Sequence, residues 1–407
     1  MTFAEKTAGA SAPPAASRRL VSIDAFRGLV MFLMMAEVLE FAAVARAVPG
    51  SACWAFLARQ QTHVQWVGCV LHDFIQPSFT FLVGVALPLS IAARSARGQS
   101  LSKMTAHAFW RAGLLVGLGI FLRSIGQPQT NFTFTDTLSQ IGLGYGLLFL
   151  LGLRPVRDHW IALGLILLGY WAAFALWPLP GPDFDYARHG VPPGWLAEHG
   201  LSGFAAHWNK NSNFASACDT WWLNLFPRPS PFTYEGGGYA TLNFIPTLGT
   251  MILGMLAGGV LRSQRTAWGK VRWLAAAGVL TLAAGWLLGW LGICPVVKRI
   301  WTPSWTLYSG GLCLLTLAAF YAAMDIRQRG RAWVFPLLVI GMNSIAAYCM
   351  AHLFVDFIRG ALLCHLGTRF FAALGQAYEP FLLGTGILLV LWLLLLWMYR
   401  KGLFLRI

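Results

Sequence analysis

Ten stretches of this chain stay apolar for close to 20 residues each, and that constrains its fold more than any other feature. A helix rises about 1.5 Å per residue, so about 20 residues cross the ~30 Å hydrocarbon core of a bilayer. The windows lie near residues 24–46, 68–93, 105–124, 136–153, 159–179, 241–261, 271–292, 305–324, 334–358 and 381–399. Charged residues make up 11% of the chain and hydrophobic ones 57%, whereas a soluble domain carries about 25% charge. A soluble enzyme, a disordered or collagen-like chain and an outer-membrane barrel are thereby excluded. The expected architecture is an all-α polytopic membrane helix bundle of about ten transmembrane helices.

The net charge of +15 has to be mapped before it is interpreted. If the N-terminus lies inside, 20 of the 30 basic residues fall on inner segments and adjoining helix ends, among them Arg94, Arg97, Lys103, Arg154, Arg262, Lys270, Arg400 and Lys401. That bias follows the positive-inside rule, predicts N-in and C-in, and accounts for the charge without nucleic acid. The expected location is the inner (cytoplasmic) membrane, crossed many times. Residues 1–19 read as a short cytoplasmic tail and 20–407 as the transmembrane domain. Ala45-Arg46-Ala47 has the form of a signal-peptidase site, but Glu37 and Glu40 in the preceding stretch favour an uncleaved first helix.

One outer connection, 180–240, greatly exceeds the usual four to six residues or so and is rich in Pro, Gly, Asn and Trp. No internal repeat of the kind that builds many transporters is visible. Cys53, Cys218, Cys294 and Cys364 fall in or near outer segments, where an oxidising compartment permits disulfides, with a pairing that sequence leaves open.

Ionisable residues inside spans are expensive, so each is a candidate for chemistry. Asp24 and Arg27 stand three apart at the inner boundary of the first helix, either as an anchoring ion pair or with Arg27 holding a phosphate. Glu37 and Glu40 share a face near its outer end; two acids so close disfavour joint ionisation, which suits acid/base work, unless both simply reach water. The densest cluster is Thr62-His63-Val64-Gln65-Trp66 with His72-Asp73, just before and inside the second helix. A neutral imidazole there can take a proton from an amine or attack a thioester, with a carboxylate fixing its tautomer. A lone His at a helix end is, however, commonly an interface residue. No metal is expected, because His63 and His72, nine apart, would sit on roughly opposite faces of a helix. Asn343-Ser344, His352 and Asn243 put polar groups in later spans, where they bond a neighbouring helix or line a cavity. Trp195, Trp208, Trp221 and Trp222 dot the long loop, as an interfacial belt or as a stacking platform for a sugar. The glycines 236–238 after Glu235 read as a flexible approach to the sixth helix.

Several motifs together resemble one family. They are Arg19-Leu20-Val21-Ser22-Ile23-Asp24-Ala25-Phe26-Arg27-Gly28; the run from His63 through Trp66, Gly68, Asp73 and Pro77 to Phe81 and Gly84; and Tyr234-Glu235 with Thr241 and Asn243. Lys298, Trp301 and Ser304 follow, then Gly341-Met342-Asn343-Ser344 and the closing Arg400-Lys401-Gly402-Leu403-Phe404. In this order, over nearly the whole chain, they resemble the heparan-alpha-glucosaminide N-acetyltransferase family. The resemblance implies acetyl transfer from cytosolic acetyl-CoA to a sugar amine across the membrane, with His63 at the catalytic position. It departs at Val38, where the family has Asn, and at Ser139-Gln140, where it has Gln-Arg.

The expected protein is therefore a membrane acetyltransferase without a metal. His63, Asp73 and Glu37 are expected to be catalytic, and Arg27, Asp24, Asn343, Ser344 and Asn243 to hold acetyl-CoA. Glu235, Lys298, Trp301, Trp221 and Trp222 are expected to bind an amino sugar or another amine. A homodimer stays open, as does direct against two-step transfer. The rival is a transporter or flippase for a sugar or lipid-linked sugar that relays protons through Glu37, Glu40 and Asp73.

Overall fold

A computed structural model describes residues 20–328 and 331–405, so the expected tail 1–19 lies outside the described residues. The main helices, in chain order, are α1 (Val21–Met35), α2 (Ile75–Ala96), α3 (Leu101–Ser124), α4 (Thr137–Gly152), α5 (Val156–Ala175) and α6 (Phe244–Arg262). After them come α7 (Ala267–Trp290), α8 (Pro303–Phe320), α9 (Arg331–Met342), α10 (Ser344–Leu353), α11 (Val355–Leu366) and α12 (Glu379–Arg400). Among the described residues eight helices are long and apolar enough to cross a membrane, or nine if the bent pair α9 and α10 is one span; α4 is a shorter apolar helix. The chain is a multi-pass helical membrane protein.

Polar side chains at the breaks set the helix starts, because the first N–H groups of a helix need acceptors. Ser100, Asp136, Thr266 and Thr302 accept from the first turns of α3, α4, α7 and α8. At α1 the acceptor comes from another element: the Asp325 carboxylate takes the Val21 and Ser22 N–H groups at 3.1 Å.

Helix α6 is central, with 78% of its apolar window buried against 17% for α7. It meets α2 along a glycine seam in which Gly84 faces the Met251 carbonyl and Gly254 and Gly258 face those of Phe81 and Val85. Between membrane helices packing replaces the hydrophobic drive, and small residues let backbones touch. Two cores result. One joins α2 to α8 and part of α1, and the other joins α1 to α9 through α12.

Two expected helices are broken. Beyond α1 the chain passes through a 3-10 turn at Ala36–Leu39 and a left-handed Glu40 (φ 52°), so Glu37 and Glu40 do not share the face of one helix. The 334–358 window is bent by 73° at Asn343. The 180–240 connection is ordered, with a helix at Phe214–Trp222 and a core of its own built from Trp66, Phe174, Trp195 and Trp208. It folds over one end of the bundle, hereafter the loop end, where the 62–70 and 291–302 connections also meet. All seven cysteines are free.

Candidate active site

The site starts from a short turn. Leu71–Phe74 forms a 3-10 turn leading into α2, and Asp73 bonds back to the Val70 N–H at 3.2 Å through Oδ2, which also lies 3.4 Å from the Val64 N–H. Its Oδ1 is thereby turned toward residue 63. Asp73 thus sits in the entry turn, ahead of the α-helix itself. Residues 62–70 are not helical: Gly68, at φ +118°, lets the strand-like segment run beside 296–298, where its N–H bonds the Val296 carbonyl at 3.0 Å and Val67 pairs with Val297. Asn243 Nδ2 bonds the Arg299 carbonyl at 2.8 Å and the Tyr170 hydroxyl that of Ile300 at 3.1 Å, which fixes this partner segment.

The result is a triad of two buried charged groups and a partly exposed ring. His63 Nδ1 lies 2.7 Å from Asp73 Oδ1. Lys298 Nζ is 3.5 Å from the same oxygen, 3.2 Å from His63 Nδ1 and 3.5 Å from its Nε2. Asp73 is 1% exposed and Lys298 4%, whereas the His63 side chain keeps 32%. The short bond to the carboxylate selects the tautomer with the proton on Nδ1 and the lone pair on Nε2. Burial pulls the His63 pKa below its usual value, with the Asp73 bond opposing, so the ring is a neutral base at neutral pH. Burial likewise pulls Lys298 down to about 8, against the attraction of Asp73.

The His63 and His72 rings are 4.2 Å apart, a correction to the expected opposite faces, because the chain between them doubles back instead of continuing a helix. His72 Nε2 in turn lies 3.5 Å from Glu37 Oε1. Tyr239 stands edge-on to His63 at 6.5 Å between ring centres. Glu235 Oε2 accepts the Tyr239 N–H at 2.8 Å, and Arg299 lies 5.2 Å over its ring while bonding the Gly237 and Val64 carbonyls. Burial pushes the Tyr239 phenol up to about 12, so it remains a donor.

His63 lines two cavities. One, of about 860 Å³, runs between the two cores and includes Glu37, His72, Phe79, Arg123, Tyr348 and Arg359. The other, of about 680 Å³, lies under the loop between 62–67 and 198–201, with Arg59 and Glu198 in its wall. Together they bracket an imidazole that can meet a ligand from either side.

Other sequence candidates lie elsewhere. Asp24 and Arg27, 3.5 Å apart, are near the opposite end of α1. Asn343 is buried and clamps the C-terminal segment through the Leu403 carbonyl at 2.9 Å and the Leu405 N–H at 3.2 Å; neither it nor Ser344 lines the His63 cavities. Asn243 and Glu235 brace the loops beside the site. Trp301, expected to bind substrate, is 1% exposed with its indole on Thr250, because its left-handed backbone (φ 44°) turns it into the bundle. Trp221 and Trp222 are 67% and 37% exposed and border neither cavity, so they do not overhang the site. Sequence reasoning did not pick out Tyr239, Arg299, Arg123 and Arg359; the glycines before Tyr239 were the available signal.

No protein-family model matches the chain. It is similar to heparan-alpha-glucosaminide N-acetyltransferase of Homo sapiens, at 24% identity over 433 residues, covering 96% of this chain and 60% of the relative. The mouse protein of the same name is 23% identical over 436 residues, covering 96% and 61%. The chain is thus a distant relative of those proteins and spans about three fifths of their length.

Proposed function

We propose that the chain is a membrane acetyltransferase that moves an acetyl group from acetyl-CoA to an amine, with an amino sugar as acceptor and His63 as the base. The observation that carries this reading is the 2.7 Å bond between His63 Nδ1 and a carboxylate that is itself 1% exposed, on the wall of two ligand-sized cavities. A transporter has no need of an imidazole whose tautomer is fixed; a base does. The similarity to N-acetyltransferases supports the same chemistry.

In this mechanism Asp73 holds the ring and its tautomer, and His63 Nε2 takes the proton from the attacking amine. The new C–N bond forms as the C–S bond of the thioester breaks. Lys298, the buried cation at the ring, stabilises negative charge that develops on the carbonyl oxygen or the departing thiolate. The Tyr239 phenol supplies a second donor on the same wall. Arg123 and Arg359 offer positive charge to an anionic donor in the larger cavity. The cavity under the loop is open to the acceptor. The excess of basic residues on one side supports an N-terminus in the cytoplasm and a loop end outside.

The test uses purified full-length protein, acetyl-CoA with a labelled acetyl group and a panel of amino sugars. Acetylated product that disappears in His63→Ala, with acetyl-CoA affinity retained, is the expected result. Uptake of sugar into proteoliposomes without any acetylated product would reject the enzyme in favour of the transporter.

A further inference from the structure

Beside the imidazole that deprotonates the acceptor stands an amine of the protein's own. Lys298 Nζ lies 3.2 Å from His63 Nδ1, 3.5 Å from its Nε2 and 3.5 Å from the Asp73 carboxylate. Lys298 is 4% exposed, yet it lines the larger cavity together with His63 and Tyr239, so the little it exposes opens on the same space as the ring.

A general base works within about 2.6–3.2 Å of the group whose proton it takes, and an attacking nitrogen stands about 3–3.5 Å from the carbon it attacks. The acetyl carbon of a bound donor is therefore held within about 7 Å of His63 Nε2. Lys298 Nζ is half that distance from the same atom, at the end of a flexible four-carbon stem whose rotation covers the difference. What restrains this amine is its proton. Asp73 holds the ammonium, but the same carboxylate also serves the imidazole, and among the described residues no second acid lies within ion-pair distance of Lys298. Burial pulls Lys298 down to about 8, with the charge of Arg299 acting in the same direction, so part of the population carries the free amine at mildly alkaline pH.

We infer that Lys298 is a self-acetylation site: when acceptor is scarce, the bound thioester acetylates Nζ and the enzyme switches itself off. This rests on the transferase reading above. The free amine attacks the thioester carbon, the new C–N bond forms as the C–S bond breaks, and the proton shed by the nitrogen leaves with the thiolate as thiol. The product amide is neutral. It removes the cation beside the reacting carbonyl, leaves Asp73 with the ring alone and fills part of the cavity. An acceptor amine competes for the same carbon, so turnover itself protects the site.

The experiment incubates the full chain in detergent micelles with acetyl-CoA at about pH 8, with and without glucosamine, and follows each lysine by peptide mass mapping. The exposed Lys103 and Lys401 report plain chemical acetylation. Expected is that buried Lys298 gains acetyl at least about tenfold faster than either, a small part of the advantage of a held reactant. Transfer activity should fall in step, and glucosamine should slow the gain. Three results would overturn the site and leave the transferase intact, each in a sample that acetylates glucosamine: Lys298 no faster than the exposed lysines, a gain without loss of transfer, or a gain that glucosamine does not slow. Neither acetylated glucosamine nor acetylated Lys298 would overturn the transferase reading, and the site with it.

Discussion

Asp73→Asn tests the triad most sharply, because the geometry predicts different sizes for its effects on activity and on stability. Oδ2 of Asp73 faces the Val64 and Val70 N–H groups at 3.4 and 3.2 Å, so the amide oxygen of an asparagine has to stay there. The amide nitrogen then faces His63, where Oδ1 now accepts at 2.7 Å. A donor in that place forces Nδ1 to accept and puts the ring proton on Nε2, the wrong tautomer for a base. Transfer should fall by about 10²–10⁴-fold, the usual contribution of general base catalysis. Stability should change far less. Removing one partner of a buried ion pair costs about 3–5 kcal/mol if the other charge is stranded, but Lys298 already sits at about 8. Burial has already weakened the hold on its proton, so the amine sheds it once Asp73 is gone and the loss is capped below that of a stranded charge. The assay pairs kcat/KM for acetyl transfer with thermal unfolding in micelles. Activity within a few-fold of the unaltered protein would refute the tautomer argument, and a stability loss of about 3–5 kcal/mol would refute the cap.

Lys298 titrates lower in the folded protein, at about 8, than in an unfolded chain, at about 10.4, so the unfolded chain binds more protons between those values. Stability should therefore rise with pH across that window, and the rise should shrink in Lys298→Met, as read by thermal unfolding at each pH. Trp221→Ala and Trp222→Ala should leave the acceptor KM unchanged, since neither ring borders a His63 cavity; a raised KM would return them to the acceptor site. Gly254→Leu, which drives a side chain into the Phe81 carbonyl, should abolish folded protein, whereas Gly259→Ala, with open space around its Cβ, should be neutral or stabilising by up to about 1 kcal/mol on a melting curve. A cysteine introduced at the exposed Thr220 should react with an impermeant maleimide on intact cells; labelling only after rupture would reverse the proposed orientation.

How much of this could be read from the chain depends on the range of the interactions involved. Membrane helices announce themselves locally: about 20 apolar residues satisfy both the hydrogen bonding and the solvation of a span, which is why each of the ten windows holds a helix. His63 and Asp73 were legible as chemistry because imidazole and carboxylate next to an apolar run are costly unless used. Their 2.7 Å bond was not, since it depends on the chain from 62 to 70 leaving the helix to pair with 296–298, residues more than 220 positions away. The same pairing brings in Lys298 and sets His72 against His63, against the helical spacing that had put them on opposite faces. Exposed indoles and buried ones look alike in sequence, so Trp221, Trp222 and Trp301 could be sorted only by packing. The break after α1 and the bend at Asn343 follow from contacts with other helices, and no local apolar pattern encodes them. Sequence alone determined the apolar spans and the helices in them and singled out His63 as a candidate; tertiary structure decided which groups surround that ring, because the distances that bring a carboxylate, an ammonium and a second imidazole to it arise between segments that only folding brings together.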